Sequence, residues 1–185
     1  MEEINREINY EAFMKVLESV KQVLIEKNKR YGNSALSPLG VFYKGDAANS
    51  IKIRLDDKLS RIKNSKELRK NDLYDLLGYC MLYTISEKYN GNVQEGVDLL
   101  IEHLGKNYLK GVFNLDKYNS AGYFSYTGFL KDGRVNSNII KTLNGTCSDI
   151  KDAPEVEIGM VESLILYLAI YFVMNDVTDF SDLID

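Results

Sequence analysis

Only two prolines stand in this chain, Pro38 and Pro154, and both fall where helical periodicity stops. Proline removes a backbone donor and clashes with the preceding turn, so helix interiors exclude it. The stretches on either side are free to run as long helices, and the apolar residues use that freedom. Between Asn9 and Lys29 they fall at Phe13, Val16, Leu17, Val20, Val23 and Leu24, the spacing of one helix face. This first helix is expected to end in the polar run Lys27-Asn28-Lys29-Arg30, before Gly32. Residues 31–45 carry three glycines, Pro38 and several turn formers. They read as an ordered loop, with Leu36, Leu39, Val41 and Phe42 expected to bury.

A second helix is expected to start near Asp46 or Asn49, either of which can cap it, with Ile51, Leu55, Leu59 and Ile62 inward. A third runs from Asn71 to about Lys88, capped by Asn71 or Asp72, on an inner stripe of Leu73, Leu76, Leu77, Cys80 and Met81. Gly91-Asn92 breaks it, and Val93 to Leu104 forms a fourth helix ended by Gly105. Tyr118–Phe129, rich in Tyr, Ser, Gly and Phe, fits strand, loop or short helix, and Val135–Leu143 fits a short helix. Val156–Asn175 is helical in length and apolar on nearly all sides after Glu162. A helix of that kind is buried in a bundle or packed against another copy. The expected fold is an all-α bundle. Residues 1–90 form a helical module, and residues 91–185 a C-terminal extension that packs on it or continues it as one domain.

Net charge is −4, which is wrong for an independent duplex binder, and no finger or recognition helix is evident. Sequence-specific DNA binding is not expected. The charge is uneven: residues 41–70 hold nine Lys/Arg against four Asp/Glu, and residues 149–185 hold one Lys against nine acids. This reads either as a basic anion-facing patch opposite an acidic surface or as two solvated helix faces. Cys80 and Cys147 form no C-x-x-C, and the lone His103 completes no zinc set. The start MEEINREINY is acidic and polar, and no signal peptide is expected there. The longest apolar run, Ser163–Met174, is 12 residues, short of the roughly 20 that span a bilayer. No membrane is expected, and the expected compartment is the cytoplasm of a bacterium, or of a host carrying a phage.

Chemistry concentrates in residues 28–82. On the second helix Arg54, Asp57, Lys58 and Arg61 are spaced 3, 1 and 3, so they share a face. That face suits phosphate, because arginine forks onto phosphate oxygens and lysine is a compact positive charge. It equally suits an ion-pair ladder with Asp57 between Arg54 and Arg61. Asp72 and Asp75 project together from the first turn of the third helix, a position the helix dipole favours for any carboxylate. Together with Asp57 they form a candidate Mg²⁺ and catalytic set, since Mg²⁺ takes one or two carboxylates, waters and substrate phosphates. Tyr31-Gly32-Asn33-Ser34 offers an aromatic ring and polar groups for a base or sugar, or is an ordinary helix C-terminal turn with Gly32 left-handed.

Tyr31-Gly32-Asn33-Ser34, then Arg54-x-x-Asp57-Lys58-x-x-Arg61, then Asp72-x-x-Asp75 followed by Tyr79 resembles a family of small phage and prophage proteins. These are the nucleotide-modification-associated, or MazG-like, proteins, similar to the all-α nucleoside triphosphate pyrophosphatases. The resemblance spans roughly residues 20–90. It implies a Mg²⁺-dependent nucleotide pyrophosphohydrolase. Asp57, Asp72 and Asp75 would hold metal, Arg54, Lys58 and Arg61 would hold phosphates, and Tyr31, Asn33, Ser34 and Tyr79 would meet base or sugar. The superfamily's Glu-x-x-Glu is absent: Glu11, Glu18 and Glu26 of the first helix never stand three apart. Fewer ligands mean weaker metal binding and less charge neutralisation. Two rivals therefore stand beside the hydrolase: a binder that sequesters a nucleotide signal of host defence without turnover, and a structural or interaction protein. A homo-oligomer is expected through the apolar last helix. Tyr118, Tyr123, Phe124, Tyr126 and Phe129 are expected to fill core or cover the pocket.

Overall fold

The computed structural model describes residues 10–89, 92–106 and 135–184. These residues form α1 (Tyr10–Arg30), α2 (Ala47–Asn64), α3 (Lys70–Lys88), α4 (Val93–Leu104), α5 (Val135–Asp152) and α6 (Ile158–Met174), then a single 3-10 turn at Ser181–Leu183. No strand occurs among the described residues, and the all-α expectation holds. The aromatic segment Tyr118–Phe129 lies outside the described residues.

Local signals account for the helix ends. The Asp46 side chain accepts from the Asn49 backbone N–H at 2.7 Å and caps α2. Asn92 does the same for α4 through Glu95 at 2.9 Å. The expected cap of α3 is displaced. Its cap position is Arg69, which makes no side-chain capping bond. Asp72 lies inside the first turn, and Arg69 Nε donates to its Oδ2 at 2.8 Å. α5 runs from Val135 to Asp152 rather than stopping near Leu143.

α3 is the spine. It packs against α2, α6, α4 and α1, and buries residues on every side, from Leu73 and Tyr74 to Thr84 and Ile85. α6 packs on α3, α5 and α1. Ile165, Leu168 and Ala169 are fully enclosed there. Ten of the seventeen residues of α6 are buried against the rest of the chain. One hydrophobic cluster joins residues from α1 through α6, so the C-terminal helices complete the core of the N-terminal ones.

The loop between α1 and α2 departs from expectation. Leu36 packs against the core, but Leu39, Val41 and Phe42 are exposed, Leu39 and Phe42 almost completely. Gly40 turns left-handed at φ 68° between them. The loop leads outward after Leu36, and Leu39, Val41 and Phe42 stand outside the core cluster.

Candidate functional site: a cleft between the end of α1 and α3

α1 ends in a Schellman turn. Gly32 takes φ 61°, and the Asn33 N–H donates to the Asn28 carbonyl at 3.1 Å. This is the six-residue closure that a left-handed glycine permits. Asn33 is left-handed as well, at φ 60°, a conformation asparagine tolerates better than most residues. The paired left-handed residues swing the chain back over the last turn of α1. Ser34 and Ala35 then stand opposite α3.

Between them lies a cavity of about 250 Å³, walled by Leu24, Lys27, Asn28, Tyr31, Ser34 and Ala35 on one side. On the α3 side it is walled by Tyr74, Asp75, Gly78, Tyr79 and Leu82. The α3 residues are spaced 1, 3, 1 and 3, so they share one helix face. Gly78 keeps that face open, since a Cβ there would stand 3.3 Å from Leu24 Cδ2.

The polar groups of the cavity are arranged in order. Lys58 reaches from α2 and donates to Asp75 Oδ2 at 2.7 Å. The same ammonium lies 5.9 Å from the centre of the Tyr79 ring, and Lys27 Nζ lies 5.3 Å from that of Tyr74, both within cation–π range. Tyr74 is only 2% exposed, and its hydroxyl has no hydrogen-bond partner among the described residues. Burial, and next the Asp75 charge, push its ionisation well above the usual tyrosine range. The hydroxyl is therefore a neutral group. It is walled off from solvent beside the cavity.

The structure thus joins part of the residue set picked from the sequence and disperses the rest. Tyr31, Ser34, Asp75 and Tyr79 meet in the cavity wall, with Lys58 just behind. Asn33 does not line it; the Asn33 side-chain oxygen is buried without a hydrogen-bond partner among the described residues. Arg54 and Asp57 are exposed and face each other at 3.9 Å, one rung of the expected ladder, and Arg61 is exposed. Lys58 lies closest to the buried stripe of α2 and turns inward; its three companions turn out. Asp57, Asp72 and Asp75 stand in three separate ion pairs, with Arg54, Arg69 and Lys58. Among the described residues no group of three or more His, Cys, Asp or Glu side chains is placed to hold a metal ion. The donor set does not fit the expected three-carboxylate Mg²⁺ site.

Beside the apolar Leu24, Ala35 and Leu82, the wall residues not picked from the sequence are Lys27, Asn28, Tyr74 and Gly78. Gly78 carried a signal. A glycine inside a strong helical pattern costs about 1 kcal/mol relative to alanine, so it asks for a packing or functional reason. Lys27 and Asn28 stand four and three residues before Tyr31, one turn away on the same helix end.

No family model, curated protein or solved structure matches the chain.

Proposed function

We propose that this protein binds a nucleotide in the α1–α3 cleft and holds it without cleaving it. One observation carries the reading: the cavity gathers residues from two of the three sequence motifs, Tyr31 and Ser34 with Asp75 and Tyr79, and backs them with Lys58 of the other. Tyrosine rings offer faces on which a base can stack, at about 1–3 kcal/mol per base. Lys27 supplies a positive charge for a phosphate. A volume of about 250 Å³ lies just below the roughly 300–1,000 Å³ of ordinary ligand pockets, which suits a base and sugar with the phosphate at the mouth. Retention without turnover follows from the carboxylates. Hydrolysis through Mg²⁺ needs a converging acidic set, and here each acid is tied to its own cation. A phage protein that sequesters a host nucleotide signal fits this arrangement.

The test is thermal unfolding of the full chain against ribo- and deoxynucleotides and cyclic and linear oligonucleotide signals, with and without Mg²⁺. Each ligand that shifts the midpoint is then recovered and chromatographed. At 100 times its dissociation constant a ligand adds about 2.7 kcal/mol of stability. A Mg²⁺-independent shift with intact ligand is expected. Recovery of a triphosphate as monophosphate would replace holding with hydrolysis, and no shift from any nucleotide would end the reading.

A further inference from the structure

Among the described residues the cavity wall holds a single carboxylate, Asp75. Its Oδ2 accepts from Lys58 at 2.7 Å. Its Oδ1 has no hydrogen-bond donor among the described residues, although Asp75 is 30% exposed and sits in the cavity wall. Paired with a lysine, the carboxylate is an acceptor and nothing else. A ligand in the cavity must turn N–H groups toward it or leave it desolvated without a partner, which is costly.

The common bases answer that demand differently. Guanine sets a ring N–H beside an exocyclic amino group, two donors that point the same way. Adenine and cytosine set an amino group beside a ring-nitrogen lone pair, which a carboxylate repels. Uracil and thymine flank their one ring N–H with two carbonyls, repelled in the same way. On the far side of guanine's ring N–H is a carbonyl acceptor. Among the wall residues the Asn28 carboxamide carries N–H donors that a base carbonyl can accept from.

We infer that the cleft reads the guanine edge, with Asp75 as its specificity-determining residue and Lys58 as the group that positions it. This rests on the nucleotide-binding reading above and narrows it to one base. Lys58 occupies one acceptor site of Oδ2, and a carboxylate has about four, so both oxygens can still accept from the two N–H groups of the base. The Tyr31 and Tyr79 rings are the surfaces available to its faces.

Midpoint shifts of the full chain are titrated with the 5′-monophosphates of guanosine, inosine, xanthosine, adenosine, cytidine and uridine, and again with Asp75→Asn. Guanosine monophosphate is expected to bind tightest. Inosine monophosphate lacks only the amino group and should bind roughly tenfold more weakly or worse, the usual loss for a hydrogen bond to a charged group. Asp75→Asn exchanges an acceptor for a donor, so it should weaken guanosine monophosphate and move the preference to xanthosine monophosphate, which carries oxygen in place of that amino group. The wild-type panel decides the matter even where the variant does not fold. Equal binding of all bases, or guanosine no better than inosine, overturns the guanine assignment and leaves nucleotide binding standing. No shift with any monophosphate, or with the wider nucleotide panel, overturns both.

Discussion

The two ends of α3 are built from the same parts and put to different uses. Each has a lysine–carboxylate bridge to a neighbouring helix at 2.7 Å, Lys58–Asp75 near its start and Lys88–Glu162 near its end. Each also has a glycine at a helix contact, Gly78 against Leu24 and Gly96 of α4 against Ile85. At the far end the carboxylate is closed in, although Lys88 itself is 31% exposed. Glu162 is 2% exposed, and it has His103 Nε2 at 3.5 Å beside its lysine. The Cβ that Gly96 lacks would stand 2.5 Å from Ile85 Cγ2. At the near end Asp75 is 30% exposed with an oxygen to spare, and the glycine borders a cavity. The same chemistry is structural where neighbours satisfy it and available where they stop short.

The largest effect should come from breaking the closed bridge. Lys88→Ala leaves Glu162 buried with less compensation. Removing one partner of a buried pair costs roughly 3–5 kcal/mol, and His103 keeps this case near about 3. A drop in melting temperature of roughly 6–12 °C by calorimetry is expected. A drop under 2 °C would mean that this end is as loosely held as the other.

Gly96→Ala should follow. Ile85 is fully buried and β-branched, so it has little freedom to retreat from a new methyl group. Overpacking of this kind costs about 1–3 kcal/mol, against a helix-propensity gain of about 1. A net loss of about 1 kcal/mol in urea unfolding is expected, and a gain would show that α3 and α4 are not in firm contact.

How much of this contrast was legible in the sequence differs between its halves. The inner stripe of α3 was, because Leu73, Leu76, Leu77, Cys80 and Met81 repeat at helical spacing and all are buried. The end of α1 was too, because Gly32 can adopt a left-handed turn without strain. The fourth helix matched residue for residue, between an asparagine cap and a glycine. The site was legible only in part. Shared-face reasoning put Arg54, Asp57, Lys58 and Arg61 together, but a face is wide. Lys58 lies at its edge next to the buried stripe and turns inward, and the other three meet solvent. The three aspartates looked like one set because sequence order does not tell which cation each will meet. The Lys88–Glu162 bridge spans 74 residues and has no local signature. The outward path of Leu39, Val41 and Phe42 goes against their hydrophobicity, and the pattern held no sign of it.

Lys58→Ala breaks the open bridge and should do far less than Lys88→Ala. Asp75 keeps access to water at 30% exposure, so the loss is that of a part-buried pair whose carboxylate can resolvate, about 1 kcal/mol. Calorimetry of the two lysine variants side by side gives the comparison directly. Equal losses would abolish the distinction between the ends.

The smallest change in stability, and the sharpest separation of the two ends, is expected from Gly78→Ala. The new methyl group meets Leu24 Cδ2 at 3.3 Å, a contact that a few tenths of an ångström relieve. Leu24 borders the cavity and has room to move. Alanine adds about 1 kcal/mol of helix propensity, so the unliganded protein should melt within about 2 °C of wild type or slightly above. The methyl group also narrows the cavity wall between Asp75 and Tyr79. The midpoint shift given by guanosine monophosphate should therefore shrink although the fold is intact. A variant that loses stability yet binds as before would place Gly78 with Gly96, as a packing glycine. One that keeps stability and loses the ligand would show that the gap at this end of α3 is kept open for an occupant.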